Sequence, residues 1–317
     1  MTAVIATCGV LAFLWLCWEH HKFDIKCEEI KKKSFEIEGK KLGQEVKKTL
    51  QYINFRIAED MEKLRESLIR KVDRAFRVAS ALYENNHNSI SEKELKKIIE
   101  SSVNALSAPD DDNRYIFIIG EEKLKSIYPL STPSNTNPQH AKNSFIKKIT
   151  ENGNAFIEYE WAKPNDKSMK MLRKISYIRY FKPYNLFIGT GEYLDDFETE
   201  LKKELFKWIK TVKTENKDGY LFVITNKGDT IFSPQNEDFS AQFYRAEDHK
   251  RILESLKHMY HKAIFSPNGG VIKYLWKNKP DERLKKKVCF VEFFQKWGWA
   301  VGAASILERI NQSIDDK

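Results

Sequence analysis

The sequence predicts an α+β chain in which one long amino-terminal helix flanks two tandem copies of a single antiparallel-sheet module. Two observations predict it. From about Cys27 to Tyr83 there is no proline, and the apolar residues Leu42, Val46, Leu50, Ile53, Ile57, Met61, Leu64, Leu68, Val72, Phe76, Ala79 and Leu82 recur at intervals of three or four, the signature of one helix face. Beyond residue 110, three blocks of sequence return in the same order.

The long helix is supported by acid-first pairs at the four-residue interval, Glu59 with Lys63 and Glu66 with Arg70. Gly39 and Gly43 weaken only its first turns. At 1.5 Å per residue such a helix spans roughly 80 Å, enough to run beside more than one module. A strict seven-residue repeat is not evident over this stretch, so packing on a sheet is expected at one end and on a partner helix at the other, with a homodimer through part of the face.

The repeated blocks define the modules. Tyr115 to Ile119 returns as Tyr220 to Ile224, each a strand by its aromatic and β-branched content. Tyr159-Glu-Trp161 returns as Tyr274-Leu-Trp276, and Ile175 to Gly189 returns as Val288 to Gly302, keeping Phe181 with Phe294, Tyr184 with Trp297 and Gly189 with Gly302. Each module reads strand, loop, helix and three antiparallel strands. In the first, a helix covers about His140 to Asn152 and strands cover Ala155–Trp161, Leu172–Phe181 and Leu186–Tyr193, the last two joined through Pro183 to Asn185. In the second, Asn226-Lys-Gly-Asp229 is a hairpin turn, a helix lies around Glu247 to His261, and strands lie near Gly270–Trp276, Lys286–Phe294 and Gly298–Ala304. Glu192 to Lys213 is a helical bridge.

Composition narrows the function classes. The 317 residues, 41% hydrophobic and 13% aromatic, supply two packed cores, and the net charge of +9 is spread as lysine interleaved with acids over a solvated surface. No helix-turn-helix, zinc-finger or RNA-binding signature accompanies that charge, so nucleic acid is not an expected partner. Cys8, Cys17, Cys27 and Cys289 have no paired spacing, and His20 with His21 and His258 with His261 lack further ligands at metal spacing, so neither a disulfide framework nor a metal or other cofactor is expected. Asp110 to Asp112 follows Pro109 and reads as an acidic turn. No nucleophile–base motif, zinc-hydrolase helix or Walker loop is present, and the chain is not expected to be an enzyme.

Ala3 to Trp18 carries no charge and ends in two tryptophans, which predicts a membrane anchor over residues 1–20. Lys22, Lys26 and Lys31 to Lys33 follow the segment and nothing basic precedes it, which taken alone places the remainder in the cytoplasm; large domains nevertheless cross membranes largely regardless of charge.

Tyr159-Glu-Trp161-Ala-Lys163-Pro164, Lys174-Ile-Ser-Tyr177-Ile-Arg179-Tyr180-Phe181 and Ile188-Gly-Thr-Gly191-Glu-Tyr193-Leu-Asp195-Asp196 together resemble the W-x-K-P, K-x-x-Y-x-x-x-F and G-T-G-x-Y-L-D-D elements of the Cache superfamily of sensor domains, in its tandem form with the second type of Cache module. Ile127-Tyr-Pro129 stands where that family has His-Pro, with tyrosine for histidine. In the second copy Gly-Thr-Gly has become Gly302-Ala-Ala304, and the tyrosine and paired aspartates are lost. The resemblance implies PAS-like sheets, a membrane-distal module at 87–200 that binds ligand, a membrane-proximal module at 201–317, a helix at 27–86, and a bacterial inner-membrane location with most of the chain periplasmic or extracellular. It also implies control of a histidine kinase, chemoreceptor or cyclic-dinucleotide enzyme.

The candidate ligand residues are Tyr159, Trp161, Lys163, Lys174, Tyr177 and Arg179, with Tyr115 and Tyr193 as weaker members. Tyr159 and Trp161 share one side of their strand, as do Tyr177 and Arg179 on the next. If the two pairs line one pocket, the guanidinium and the aromatic walls suit a small carboxylate or amino-acid-like anion, with Lys163 and Lys174 adding positive charge. On this reading Arg179→Ala abolishes anion binding and spares the fold. The alternative for Tyr159 and Trp161 is a core role, since both recur in the second copy, and for Arg179 a place on the outer strand face. The functional alternatives are a membrane-tethered solute-binding protein without signalling output and a coiled-coil interaction scaffold.

Overall fold

A computed structural model describes residues 2–107, 116–127, 146–163, 170–212, 214, 219–225, 230–232, 246–276, 283 and 285–306; of residues 2–14, 230–232 and 246–249 only the backbone is described. The chain divides into two compact units, Phe55–Glu204 and Met1–Asn54 with Leu205–Lys317. Helix α1 runs over Thr2–Asn86 and contributes a stretch to each.

In the Phe55–Glu204 unit, α1 is followed by α2 (Glu92–Asn104), strand β1 (Ile116–Gly120), α3 (Glu121–Ile127), a helical stretch at 146–152, strands β2 (Asn154–Ala162), β3 (Met171–Phe181) and β4 (Leu186–Tyr193), and the first part of α4 (Leu194–Thr211). The sheet order is β1-β4-β3-β2, all antiparallel. Its two faces bury different partners. One packs Ile116, Ile175, Tyr177, Phe181, Leu186 and Ile188 against Leu68, Val72, Ala75 and Ala79 of α1 and Leu95, Ile99 and Val103 of α2. The other packs Ile157, Tyr159, Ile178 and Phe187 with Leu124 of α3 and Ile146 and Ile149. The periodic positions expected on α1 do face the core: Ile57, Leu68, Val72 and Ala79 are buried, and Met61, Leu64, Phe76 and Leu82 pack against it half-buried.

Helix α2 is not among the elements expected from periodicity, its lysines and glutamates interrupting the apolar stripe. Ser91 caps it by accepting from the Glu94 amide at 3.3 Å, and Leu95, Ile99 and Val103 form its buried stripe.

The second unit repeats the plan. Strands β5 (Tyr220–Ile224) and β6 (Thr230–Phe232), helix α5 (Ala246–Phe265), and strands β7 (Gly270–Trp276), β8 (Lys285–Phe294) and β9 (Trp299–Ile306) form a sheet of order β6-β5-β9-β8-β7. It therefore has five strands, because β5 pairs with β6 as a hairpin; the turn expected at Asn226 to Asp229 lies outside the described residues. Helix α5 covers one face, placing Ile252, Leu256, Met259 and Ala263 against Tyr220, Tyr274 and Cys289. On α1, Leu42, Val46, Leu50 and Ile53 are buried. Gly39 and Gly43 now have a reason: a β-carbon at Gly39 would stand 2.8 Å from Val271, and one at Gly43 would stand 3.2 Å from the Phe290 ring. These glycines let the helix approach the sheet, which offsets their low helix propensity.

Both sheets make the same close contact at the matched glycines. Phe117 lies opposite Gly189 and Phe222 opposite Gly302, and in each case the ring fills the space a β-carbon would take. Both also end the β3–β4 type of hairpin with a left-handed residue, Asn185 at φ 52° and Gly298 at φ 64°.

Among the described residues no helix is long and apolar enough to cross a membrane. The anchor expected over Ala3 to Trp18 falls mostly in residues 2–14, whose side chains are outside that set.

Candidate functional site

The register of β2 on β3 decides which of the predicted site residues meet. Tyr159 pairs with Lys174 and Trp161 with Leu172, while Tyr177 pairs with Phe156 and Arg179 with Asn154. Directly paired residues of an antiparallel ladder share a face. Tyr159, Trp161 and Lys174 therefore lie on one side, joined by Tyr193, which pairs with Lys174 from β4. Tyr177 and Arg179 lie on the other. The expectation that both aromatic–polar pairs line one pocket is thus corrected: spacing along a strand fixes parity within it, whereas parity across strands depends on register, and a one-residue slip exchanges the faces.

On its own face Arg179 has a structural occupation. Its guanidinium donates to the Asp73 carboxylate of α1 at 2.8 Å and lies 3.7 Å from the Phe76 ring centre. Tyr177 is buried against the same helix and stacks at a tilt on Phe156, and burial, with Asp73 nearby, raises its hydroxyl pKa above the usual tyrosine value. Neither belongs with Tyr159.

The face away from α1 holds a compact polar group in apolar surroundings. Lys174 is 1% exposed, and its ammonium lies 4.4 Å from the Tyr193 ring centre. Tyr159 Oη and Ser176 Oγ share a buried hydrogen bond of 3.0 Å, and the Trp161 ring meets Tyr159 edge-on at 6.3 Å. Gly191 is needed here because a β-carbon would collide with Ser176 Oγ and crowd the Lys174 stem. Burial pushes the Lys174 pKa down to about 8, against an upward pull from Glu192. The arrangement provides an amine that becomes a positive charge on taking up a proton, hydroxyls able to donate or accept, and aromatic walls, the components that recognise a small anion with an apolar body.

Lys163 sits at the rim rather than in the group. Its ammonium pairs with Asp196 at 2.6 Å and is 5.5 Å from the Tyr193 ring centre, while the Tyr193 hydroxyl donates to the Ala162 carbonyl at 3.0 Å. Asp195 accepts from both the Arg173 amide and guanidinium at 3.2 Å. The paired aspartates thus fasten the start of α4 to the strand ends, a role in architecture that matches the lysine of one motif to an acid of another. Tyr115 lies outside the described residues. Sequence reasoning did not single out Ser176; its signal was the position two residues along β3 from Lys174, hence on the same face.

Across the sheet from Lys174, a crevice of about 700 Å³ is lined by Asp60, Lys63, Ser67 and Lys71 of α1 with Glu192 and Asp196, and Glu192 is only 6% exposed. Among the described residues no group of three or more His, Cys, Asp or Glu side chains is placed to hold a metal.

A sequence profile of the double Cache family dCache_2, described as Cache domain, matches residues 19–311. Over 49 residues, 16% of this chain, the sequence is 39% identical to the methyl-accepting chemotaxis protein McpP of Pseudomonas putida, and the match spans 9% of that relative's length. The ligand-binding domain of the Campylobacter jejuni chemoreceptor Tlp3, solved with L-valine, is 14% identical with a TM-score of 0.32 and coverage of 89% of this chain and 97% of that one. The extracellular domain of the putative histidine kinase mmHK1S-Z2 is 13% identical with a TM-score of 0.27, covering 84% and 97%. A Cache chemosensory domain solved for carboxylic acid recognition is 18% identical with a TM-score of 0.33, covering 43% and 98%.

Proposed function

The chain belongs to the double Cache family of sensor domains, and on that premise we propose that it is the extracytoplasmic input region of a transmembrane signalling receptor whose first module binds a small carboxylate or amino-acid-like anion. One observation carries the ligand class: Lys174, buried beside Tyr159, Ser176 and Tyr193 on the sheet face away from α1. A carboxylate entering beside that ammonium gains charge-assisted hydrogen bonds, and Trp161 and Tyr159 shelter the remainder of the ligand. The local likeness to a chemotaxis receptor supports a signalling output.

A ligand on this face biases signalling only if it favours one of two packings of sheet and helix. The sheet is a short path, since Glu192 in the crevice beside α1 and Lys174 on the ligand face already interact electrostatically. The anchor over residues 1–20 and a homodimer through α1 belong to the same proposal. Leu16, Phe23, Ile30 and Ile37 are exposed on α1 at seven-residue spacing, which supports a helical partner along this stretch.

The test is a thermal-shift screen of the full chain in detergent with acetate, propionate, pyruvate, succinate and L-valine. The proposal expects at least one to raise the melting temperature of the wild type and not that of Lys174→Met. Stabilisation that survives in Lys174→Met would move the site elsewhere.

A further inference from the structure

We propose that α4 is the coupling element of this chain, the strut through which a change in the first sheet reaches the second unit. That role is independent of which ligand the first module takes. Helix α4 crosses the division of the chain, with Glu204 in one unit and Leu205 in the other. No residue intervenes between Tyr193, the last of β4, and Leu194, the first of α4. A shift of β4 is therefore delivered to the helix with no loop to absorb it. Tyr193 is itself tied to the face that carries Lys174, since its ring lies 4.4 Å from that ammonium and its hydroxyl donates to the Ala162 carbonyl at 3.0 Å.

Both ends of α4 are fastened, and its middle is not. In the first turn Asp196 pairs with Lys163 at 2.6 Å, and Arg173 holds Asp195 at 3.2 Å and Glu198 at 3.1 Å. At the other end Leu205 and Ile209 are buried, Phe206 stacks on Trp299 at 4.8 Å, and Trp208 stacks on Tyr52 of α1 at 4.0 Å. Trp299 opens β9, the central strand of the second sheet. Between the ends, Lys203, Glu204 and Lys207 are exposed. A helix of this length carries a displacement over roughly 27 Å. Helix α1 also runs through both units, but it holds the first sheet mainly through Leu68, Val72, Ala75 and Ala79, an apolar contact of the kind that permits small sliding. The fastening belongs to the junction between modules: at the matched end of the second sheet Ile306 stands for Tyr193, and Glu308-Arg309 follows in place of the paired aspartates.

Amide hydrogen exchange on the full chain in detergent, followed strand by strand and without ligand, tests this. Asp195→Asn together with Asp196→Asn loosens only the first turn of α4, yet it is expected to speed exchange in β9 roughly tenfold. Lys163→Met breaks the same fastening from the end of β2 and keeps the test open should the double variant not fold. Lys203→Gly with Lys207→Gly, at exposed positions, softens the helix between its ends. In that background β9 is expected to exchange at one rate with or without the aspartates. Gln51→Gly, the matching change at an exposed position of α1, is expected to leave the acceleration in place. Acceleration confined to the first unit overturns the proposal. So does acceleration in β9 that persists with both glycines in α4, the route then being α1 if Gln51→Gly removes it.

Discussion

The two sheets agree where backbone geometry or a buried charge is at stake and disagree almost everywhere around it. Phe117 on Gly189 is matched by Phe222 on Gly302, and Asn185 at the left-handed turn by Gly298. Tyr159 opposite Lys174 is matched by Tyr274 opposite Lys287. On the helix-facing side the matched position holds Arg179 in the first sheet, bound to Asp73, and Glu292 in the second, whose Oε2 is buried without a hydrogen bond among the described residues. The difference teaches that the face turned to α1 is free to vary its charge, while the opposite face keeps its lysine at an energetic cost.

That cost gives the largest effect that would sharpen the comparison. The pKa of Lys174 is lowered on folding from 10.5 to about 8, so between those values the unfolded chain holds more protons than the folded one. Stability must then rise with pH across that window, by about 3 kcal/mol for a shift of this size, the penalty being fully present below pH 8. Denaturant titrations from pH 7 to 10.5 on the wild type and Lys174→Met measure it as the difference between the two slopes; parallel curves would mean the ammonium is better solvated than its burial indicates.

Next in size, Lys174→Met is expected to weaken a small carboxylate at least 100-fold, corresponding to about 3 kcal/mol, while leaving the unliganded chain at neutral pH as stable as before or more so. Loss of affinity together with loss of fold would assign the lysine a structural role instead.

The matched glycines come third. Gly189→Ala and Gly302→Ala each push a methyl into a phenylalanine ring, and each is expected to destabilise its own unit by about 2 kcal/mol. Similar losses by thermal unfolding would support equivalent packing, whereas a loss in one alone would break the parallel between the sheets.

The smallest effects lie on the helix-facing side. Arg179→Ala removes an ion pair and an aromatic contact and is expected to cost about 1 kcal/mol with ligand affinity unchanged, the reverse of what its sequence context suggested. Glu292→Gln is expected to be neutral or to stabilise by up to about 1 kcal/mol, since it makes the unsatisfied oxygen part of an uncharged group.

Much of the fold was legible because burial imposes periodicity. The apolar positions of α1 lie inward, β4 spans Leu186–Tyr193 and β7 spans Gly270–Trp276 as expected, and the other long strands differ from expectation by a residue or two at their ends. Helix α2 was obscured by its lysines and glutamates, although Ser91 and Glu94 ahead of Leu95 and Ile99 carried a capping signal. The site was legible in composition and illegible in arrangement. Sequence placed Tyr159 with Trp161 and Tyr177 with Arg179 correctly within each strand, yet nothing local specifies that Tyr159 faces Lys174 and not Arg173. Lys163 and Asp196 were both prominent in the motifs, but their pairing across β2 and α4 required the folded chain.

The most direct measurement is proton uptake on ligand binding. Titrating propionate into the full chain at pH 8.5, in two buffers of different ionisation enthalpy, should reveal net uptake by the wild type, because a carboxylate beside Lys174 favours its protonated form. That uptake should fall in Lys174→Met. Binding with no uptake, or with the same uptake in the variant, would contradict a ligand site built on the buried lysine of the first sheet.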